Sequence, residues 1–419
     1  MMQVKPLLLL STCLAFSIAD AQVNIQNCQD KARANYPMIR QYDLIAKSTD
    51  YTISNANKAY LPHVSITGIG GYVISGLPSM SAPGQPEAEP EKVQLIGIAQ
   101  INQTLWDGGA TRSQKDIAKA SSEVEKSTVD VSFYSIRERV NQLYFGILVI
   151  DEQLKQLDIL NENLARNLNK IKLSKDNGLA YQSDVDEVKA EVLNLEQKKI
   201  EFSFTRKGYL EMLSYLIGEK LVDQVQLEKP AMPEAVESLT NNRPELSLYA
   251  NQMKLIEAQS SVNKVSNMPK IGLIGAGILM EPGVNLGASK LDNLAIAGIS
   301  LSWNTSGLYK NSNNKKLDKI RTDRIANQQE TFLFTNKLQL TQTTSEIEKQ
   351  KSIIAKDDEI VSLKSSIIKS YQLKYDNGMC SMNDLITSMN KESEARSSRA
   401  LHIVQLLMSM YNYKNINGN

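Results

Sequence analysis

Residues 140–171 read VNQLYFGILVIDEQLKQLDILNENLARNLNKI, and apolar residues recur in this stretch every three or four positions. The apolar positions are Val140, Leu143, Ile147, Ile150, Leu154, Leu157, Leu160, Leu164, Leu168 and Ile171. Nine steps cover 31 residues, close to the period of about 3.5 residues of a coiled coil. No proline occurs from Gly108 to Asp176. The pattern therefore predicts one helix of about 100 Å, at about 1.5 Å per residue, which is longer than an ordinary domain.

Landmarks of the first half of the chain recur about 200 residues later. The pairs are Asn35-Tyr36-Pro37 with Asn242-Arg243-Pro244, Trp106 with Trp303, and Asp176-Asn177-Gly178 with Asp376-Asn377-Gly378. Each half has the order helix, proline, glycine-rich strands, tryptophan, very long helix, Asn-Gly turn and second helix. Internal similarity of this kind indicates a duplication. We expect a first repeat at 22–218, a linker at 219–240 and a second repeat at 241–419.

The Asn-Gly pairs follow the long helices and are typical of helix ends, because glycine adopts the left-handed conformation at low cost. We expect Asn177, Gly178, Asn377 and Gly378 to form the tips of two antiparallel helical hairpins. Ser183 and Asn383 are expected to cap the returning helices. Both tips lie at the same end if the halves are related by the repeat.

Four short segments are predicted strands, at 63–76, 93–106, 271–280 and 294–303. In the first, Val64, Ile66 and Tyr72 share one face and polar side chains share the other. That alternation is typical of membrane barrel strands, for which about 9 to 11 residues suffice to span. Tyr72, Trp106 and Trp303 are candidate membrane-interface anchors.

Four strands cannot close a barrel. An open sheet edge in lipid leaves backbone groups unpaired at several kcal/mol each, so other copies of the chain must complete the sheet. Two copies supply eight strands and three supply twelve, and a solvent-filled interior requires more than about eight. We therefore expect an obligate oligomer.

The first 21 residues have the pattern of a secretory signal peptide: Lys5, an apolar run, and Ala19-Asp20-Ala21 before Gln22. A lipoprotein signal ending at Cys13 is the alternative. The mature chain keeps Cys28 and Cys380, which are either two free thiols or a disulfide.

The charge balance and the residue composition argue against nucleic-acid binding, metal binding and catalysis. The 419 residues include 47 Lys and Arg against 46 Asp and Glu, a balance that argues against a nucleic-acid partner. His63 and His402 are the two histidines, and no spacing of histidines and cysteines predicts a metal site. Gly68-Ile69-Gly70 lacks the third glycine of a dinucleotide loop, and no Gly-x-Ser-x-Gly elbow occurs. We expect neither a cofactor nor enzyme activity.

The duplicated layout, the sequence Leu105-Trp106-Asp107-Gly108-Gly109 and the aspartate six residues after each turn glycine resemble the outer membrane efflux protein family, the TolC-like channels. The resemblance covers nearly all of the mature chain. It implies a mainly α fold with a small β part, in which long helical hairpins form a periplasmic tunnel. Four strands per chain would complete a trimeric, twelve-stranded transmembrane β-barrel, with loops 77–92 and 281–293 outside the cell.

The resemblance also implies location, partners and a gate. The chain would be a homotrimer in the lipid of the cell outer membrane, extending into the periplasm. Its tips would meet a periplasmic membrane-fusion adaptor and an inner-membrane pump of the RND or ABC class. Tyr375 matches the family's gating tyrosine, Asp184 the aspartate that it bonds, and Asp384 the first carboxylate of the constricting ring. Near these residues, Thr387 and Cys380 differ from the residues that the family has at the same positions.

Two functions remain open at this point. The first is a passive trimeric conduit for efflux or type I secretion, whose cargo and pump class the residues do not indicate. The alternative is a secreted coiled-coil protein with a structural or adhesin-like role.

Overall fold

The computed structural model describes residues 23–72, 74, 93–232, 241–281 and 292–418. The expected signal peptide, the loop 77–92, most of the loop 281–293 and part of the linker lie outside the described residues.

The elements follow the predicted order in both halves. The first half contains helices α1 (Ile25–Asn35) and α2 (Gln41–Asn57), strands β1 (His63–Tyr72) and β2 (Val93–Trp106), and helices α3 (Ala110–Asp176) and α4 (Gln182–Ile217). The second half contains α5 (Pro244–Val265), β3 (Lys270–Glu281), β4 (Asp292–Ser302), α6 (Ser306–Asp376) and α7 (Met382–Ile416). The predicted mainly α fold with a small β part is therefore confirmed.

The strand boundaries differ from the predicted ones by a few residues. Strand β1 ends at Tyr72, which pairs with Val93 at the start of β2, and Ile74 lies outside the strand. Residues 75 and 76, the predicted end of this strand, lie outside the described residues. Strands β3 and β4 begin one and two residues before the predicted positions.

Two long hairpins dominate the molecule. Helix α3 has 67 residues and α6 has 71, so each is about 100 Å long at about 1.5 Å per residue. The two tips lie at the same end, where Lys170 of α3 forms an ion pair with Asp376 of α6 at 3.2 Å. Within the described residues, no helix is both long and apolar enough to cross a bilayer.

The hairpins are held by two apolar clusters. The first cluster lies at the middle of α3. There Val140, Tyr144 and Phe145 are fully buried against α1, α4 and α7. The second lies near the tips and joins both hairpins. Its buried members are Leu160, Leu164, Ile171, Val185, Val188, Leu195, Met382, Leu385, Ile386 and Met389. Of the ten apolar positions that predicted the long helix, six are buried: Val140, Ile147, Ile150, Leu160, Leu164 and Ile171.

The strands form one antiparallel sheet in the order β1-β2-β3-β4. Residues that face each other across a ladder lie on the same side of the sheet, so the register determines what each side carries. One side carries Val64, Ile66, Tyr72, Val93, Leu95, Ala99, Ile101, Leu273, Leu279, Ala295, Ala297, Ile299 and Leu301, with the polar Gln103, Glu281 and Asn293 toward the strand ends. The opposite side mixes polar and apolar residues. We call the first side the apolar face.

Candidate functional site

The two hairpin tips have the same backbone geometry. Gly178 and Gly378 have φ of 73° and 69°, the left-handed conformation expected for them. In the first tip Leu179 N donates to Ser174 O at 2.8 Å and Gly178 N to Lys175 O at 2.9 Å. The second tip repeats both bonds 200 residues later, from Met379 and Gly378. These are the bonds of a Schellman motif, which pairs the last carbonyls of a helix.

Asp184 and Asp384 both act as caps for the helices that return from the tips. The Asp184 carboxylate accepts a hydrogen bond from Tyr181 N at 2.9 Å. The Asp384 carboxylate accepts from Ser381 N at 3.0 Å and from Ser381 Oγ at 2.6 Å. Ser381 Oγ in turn accepts from Asp384 N at 3.2 Å, which completes a capping box.

The predicted caps Ser183 and Asn383 were therefore wrong by two residues. Both lie inside their helices, at the second helical position, and are exposed. The turn after each glycine is shorter than assumed, so each helix begins before these residues.

Tyr375 lies at the edge of the apolar cluster that joins the tips. Burial raises its pKa above the ordinary value, and the negative charge of Asp184 raises it further. The two side chains are therefore close enough to interact electrostatically. Among the described residues, no hydrogen bond joins the Tyr375 hydroxyl to Asp184.

Asp384 is the more exposed of the two aspartates. Hydrogen bonds from the Ser381 side chain and backbone hold its pKa below the ordinary value. Its carboxylate therefore stays ionised at neutral pH and is exposed in the single chain. Cys380, three residues after Asn377, is half-buried and its Sγ lies 3.6 Å from Tyr371 O.

Three polar contacts between the hairpins were not found from the sequence. Lys170 pairs with Asp376, and Asn390 Nδ2 donates to Glu191 Oε1 at 2.8 Å. The buried Asn167 places its Nδ2 3.2 Å from Met389 Sδ. The partners are about 200 residues apart in sequence. That separation equals the offset between the two repeats, which is the one sequence feature that relates them.

The sheet places the three candidate anchors at its two ends. Tyr72 lies at the end away from the helices, whereas Trp106 and Trp303 lie where the strands meet the helices. A register shift between Thr104 and Trp106 sets Trp106 opposite Ile271, so that it joins the apolar face. Trp303 follows β4 and its Nε1 donates to Asn267 O at 3.0 Å. All three rings are exposed.

Asp107 is a buried carboxylate at the junction of sheet and helix that the sequence did not single out as a site. It is 6% exposed and accepts from Tyr60 OH at 3.0 Å, Gly109 N at 2.9 Å and Thr111 N at 2.6 Å. Burial alone would raise its pKa, but the bonds from Thr111, Gly109 and Tyr60 outweigh burial and lower the pKa to about 2. In the second repeat the neutral Asn304 takes this place, with Oδ1 accepting from Ser306 N at 3.0 Å.

Metal-binding and redox features are few in the described part of the chain. It contains no group of three His, Cys, Asp or Glu side chains placed to hold a metal ion. Cys28 and Cys380 are free thiols, and Cys28 is buried in the central cluster. His402 Nδ1 lies 2.6 Å from the Asp357 carboxylate, an internal pair between α7 and α6.

Solved structures of outer-membrane channels share this fold, although no protein-family model and no curated protein matches the sequence. The outer-membrane channel OprN superposes with a TM-score of 0.67 at 14% identity, covering 94% of this chain and 89% of its own. The outer membrane protein VceC of Vibrio cholerae gives 0.66 at 13% identity, with 94% and 96% covered. The open state of the MtrE outer membrane channel of Neisseria gonorrhoeae gives 0.63 at 15% identity, with 94% and 89% covered.

Proposed function

Because the chain has the fold of TolC-like outer-membrane channels, we propose that it is a passive channel of the cell outer membrane that extends into the periplasm. The observation that carries this proposal is the four-stranded sheet, whose register collects apolar side chains on one face while two long helical hairpins leave its end. A water-exposed sheet of this kind would leave its apolar face uncovered, whereas lipid covers it.

The edges of the sheet support a homotrimer. Strands β1 and β4 are the outer strands, and within the described residues neither has a second neighbour. Unpaired edges in lipid cost several kcal/mol for each backbone group, so β4 of one chain pairs with β1 of the next. Three chains supply twelve strands, enough for a water-filled interior.

The surface of α6 supports the same assembly. Of its 71 residues, three are buried in the single chain: Asn336, Gln350 and Asp357. Apolar side chains such as Phe334 and Leu338 remain exposed along its middle. In the trimer this middle part of α6 packs against the neighbouring chain.

The gate is assigned to the tips. We infer that Tyr375 and Asp184 hold neighbouring helices together in the closed state and that three Asp384 carboxylates line the opening. The electrostatic proximity of Tyr375 to Asp184 and the exposed, ionised Asp384 support this assignment. Both aspartates also cap their helices, and substitution of Asp384 and Tyr375 separates capping from gating.

The tips are also the proposed contact with the rest of an export system. Leu179, Tyr181 and Met379 are 82%, 79% and 74% exposed. Apolar side chains presented at the end of a rod favour a protein partner. A periplasmic adaptor contacts them, and an inner-membrane RND or ABC pump supplies the energy for export. The sheet and the structural neighbours offer no support for the secreted coiled-coil alternative.

A matched pair of substitutions tests the channel. Ile66 on the apolar face is 82% exposed, and the next residue, Thr67, lies on the opposite face. A lysine on the lipid side near the middle of a barrel strand costs about 2–4 kcal/mol, whereas lysine on the lumen side is tolerated. Ile66→Lys should therefore abolish recovery of a detergent-stable trimer from outer membranes, while Thr67→Lys should preserve it.

The readouts are light scattering of the purified oligomer and conductance in planar bilayers. A wild-type chain that is a soluble elongated monomer would refute the channel and favour a secreted rod. Equal effects of the two lysines would refute the assignment of the lipid-facing side.

A further inference from the structure

The first turns of α6, directly after β4, carry exposed apolar and basic residues on one side. The set is Leu308, Tyr309, Lys315, Lys316 and Lys319, all of them exposed. At about 100° per residue these five positions fall within an arc of about 120°. We call this set the α6 arc.

The arc points away from the rest of the chain. Asn314, on the opposite side of the helix, donates from Nδ2 to Asn263 Oδ1 of α5 at 3.2 Å. Tyr309 is 86% exposed and Leu308 is 55% exposed. The side chains of the arc are therefore available to something outside the single chain.

The charge of this segment is unbalanced. Residues 306–321 contain five Lys and Arg against one Asp, whereas the whole chain contains 47 against 46. The one acid, Asp318, pairs with Arg321 at 3.4 Å. Within the described ranges, Lys315, Lys316 and Lys319 have no ion-pair partner.

We propose that the α6 arc binds the headgroups of anionic phospholipid, of the phosphatidylglycerol type, at the periplasmic surface of the membrane. The inference rests on the proposed function, because the sheet must lie in the bilayer for the arc to stand at its surface. Trp303 and Tyr309 occupy the interface, where amphipathic rings are favoured.

Along the helix, the backbone of the lysines lies just beyond the headgroup layer, and their side chains can reach back toward it. Lys315 lies about 9 Å and Lys319 about 15 Å beyond Tyr309, at about 1.5 Å per residue. The headgroup region adds about 5–8 Å to each side of the hydrocarbon core, and lysine side chains extend along apolar surface toward it. Each lysine near a negative lipid surface strengthens binding about fivefold, and a trimer presents nine lysines of this set.

A different macromolecule, the anionic cell-wall polymer, would also attract lysines. The order of residues in the α6 arc favours lipid. Its apolar residues lie nearest the strands, and its lysines lie farther along α6, away from the strands. A surface built for a polar polymer would not require exposed Leu308 and Tyr309 at its membrane end.

The test uses a triple variant with a matched control on the same helix. The variant is Lys315→Gln, Lys316→Gln and Lys319→Gln. The control is Lys337→Gln, Lys351→Gln and Lys369→Gln, which removes three exposed charges far from the strands. Purified oligomers are titrated with phosphatidylglycerol and with phosphatidylcholine, and bound lipids are counted by native mass spectrometry.

We expect phosphatidylglycerol binding to fall at least tenfold in the triple variant, with little change in the control and no change in phosphatidylcholine binding. Equal loss in variant and control overturns the proposal, as does no loss in either. A shift in ion selectivity of the triple variant with unchanged lipid binding would place the lysines in the lumen and also overturn it. Lost retention on cell-wall polymer with unchanged lipid binding has the same consequence.

The test separates this inference from the channel itself. A trimer that conducts but has no preference for phosphatidylglycerol refutes the lipid site alone. A chain that forms no membrane oligomer refutes the channel. That result refutes the lipid site as well, because the α6 arc then does not stand at a membrane surface.

Discussion

Asp107→Asn is the sharpest test of how the sheet is joined to the long helix α3. The carboxylate of Asp107 accepts three hydrogen bonds, two of them from the Gly109 and Thr111 amides at the start of α3. An asparagine keeps one acceptor oxygen and turns an N–H₂ toward a donor, so at least one buried amide loses its partner. Leaving a buried donor unpaired costs about 1–3 kcal/mol.

The lowered pKa of Asp107 gives a second, independent value for how much its carboxylate stabilises this junction. A fall from 3.8 to about 2 corresponds to about 2 kcal/mol of preference for the ionised form in the folded chain. Local opening of the first turn of α3 should therefore become about 30-fold more frequent in the variant. Hydrogen exchange of the amides of residues 109–113, measured by mass spectrometry on the purified protein, reads this directly.

The pH dependence has a definite sign. Because the folded-state pKa lies below the unfolded one, the stabilisation is complete above about pH 4 and is lost as the pH falls toward about 2. The difference in protection between wild type and variant should shrink across that range, after correction for intrinsic exchange rates. Asp116→Asn, an exposed acid two turns along α3, is the control. Equal exchange in wild type and Asp107→Asn, or the same change in the control, would refute the reasoning.

Two further predictions concern the proposed gate. Asp384→Asn, which can still cap α7, should reduce cation preference and block by multivalent cations in planar bilayers, because three charges leave the opening; unchanged selectivity would leave Asp384 as a helix cap. Tyr375→Phe removes one hydroxyl, and if that hydroxyl bonds a neighbouring helix in the closed trimer, loss of about 1 kcal/mol should raise entry of large antibiotics about fivefold. Tyr371→Phe, on the same helix one turn away, serves as its control, and equal sensitivity of the two variants would remove Tyr375 from the gate.

Local patterns predicted the elements of this fold well. The apolar spacing from Val140 to Ile171, the two Asp-Asn-Gly turns and the short alternating segments each depend on residues close together in the chain. The structure places a 67-residue helix, left-handed glycines at 178 and 378, and four strands at those positions. The details that failed are the helix caps: Ser183 and Asn383 lie inside their helices, two residues after the observed caps.

The site could be predicted in part. The tips and the candidate aromatic anchors follow from local motifs. The proposed gate residues come from the family resemblance, and experiments must test them. The Asp107 junction was not predicted, because its partner Tyr60 comes from another element 47 residues away. Likewise the bulge that brings Trp106 onto the apolar face depends on the pairing of β2 with β3.

The sequence by itself determined a duplicated chain of long helices, tight Asn-Gly tips and short strands, because turn chemistry and side-chain periodicity act over a few residues. Only the tertiary structure decided that β2 of one repeat pairs with β3 of the next, that Lys170 meets Asp376, and which side of the sheet is apolar. These features join residues far apart in the chain. Their register depends on how complete helices and strands pack together, and no local pattern carries that information.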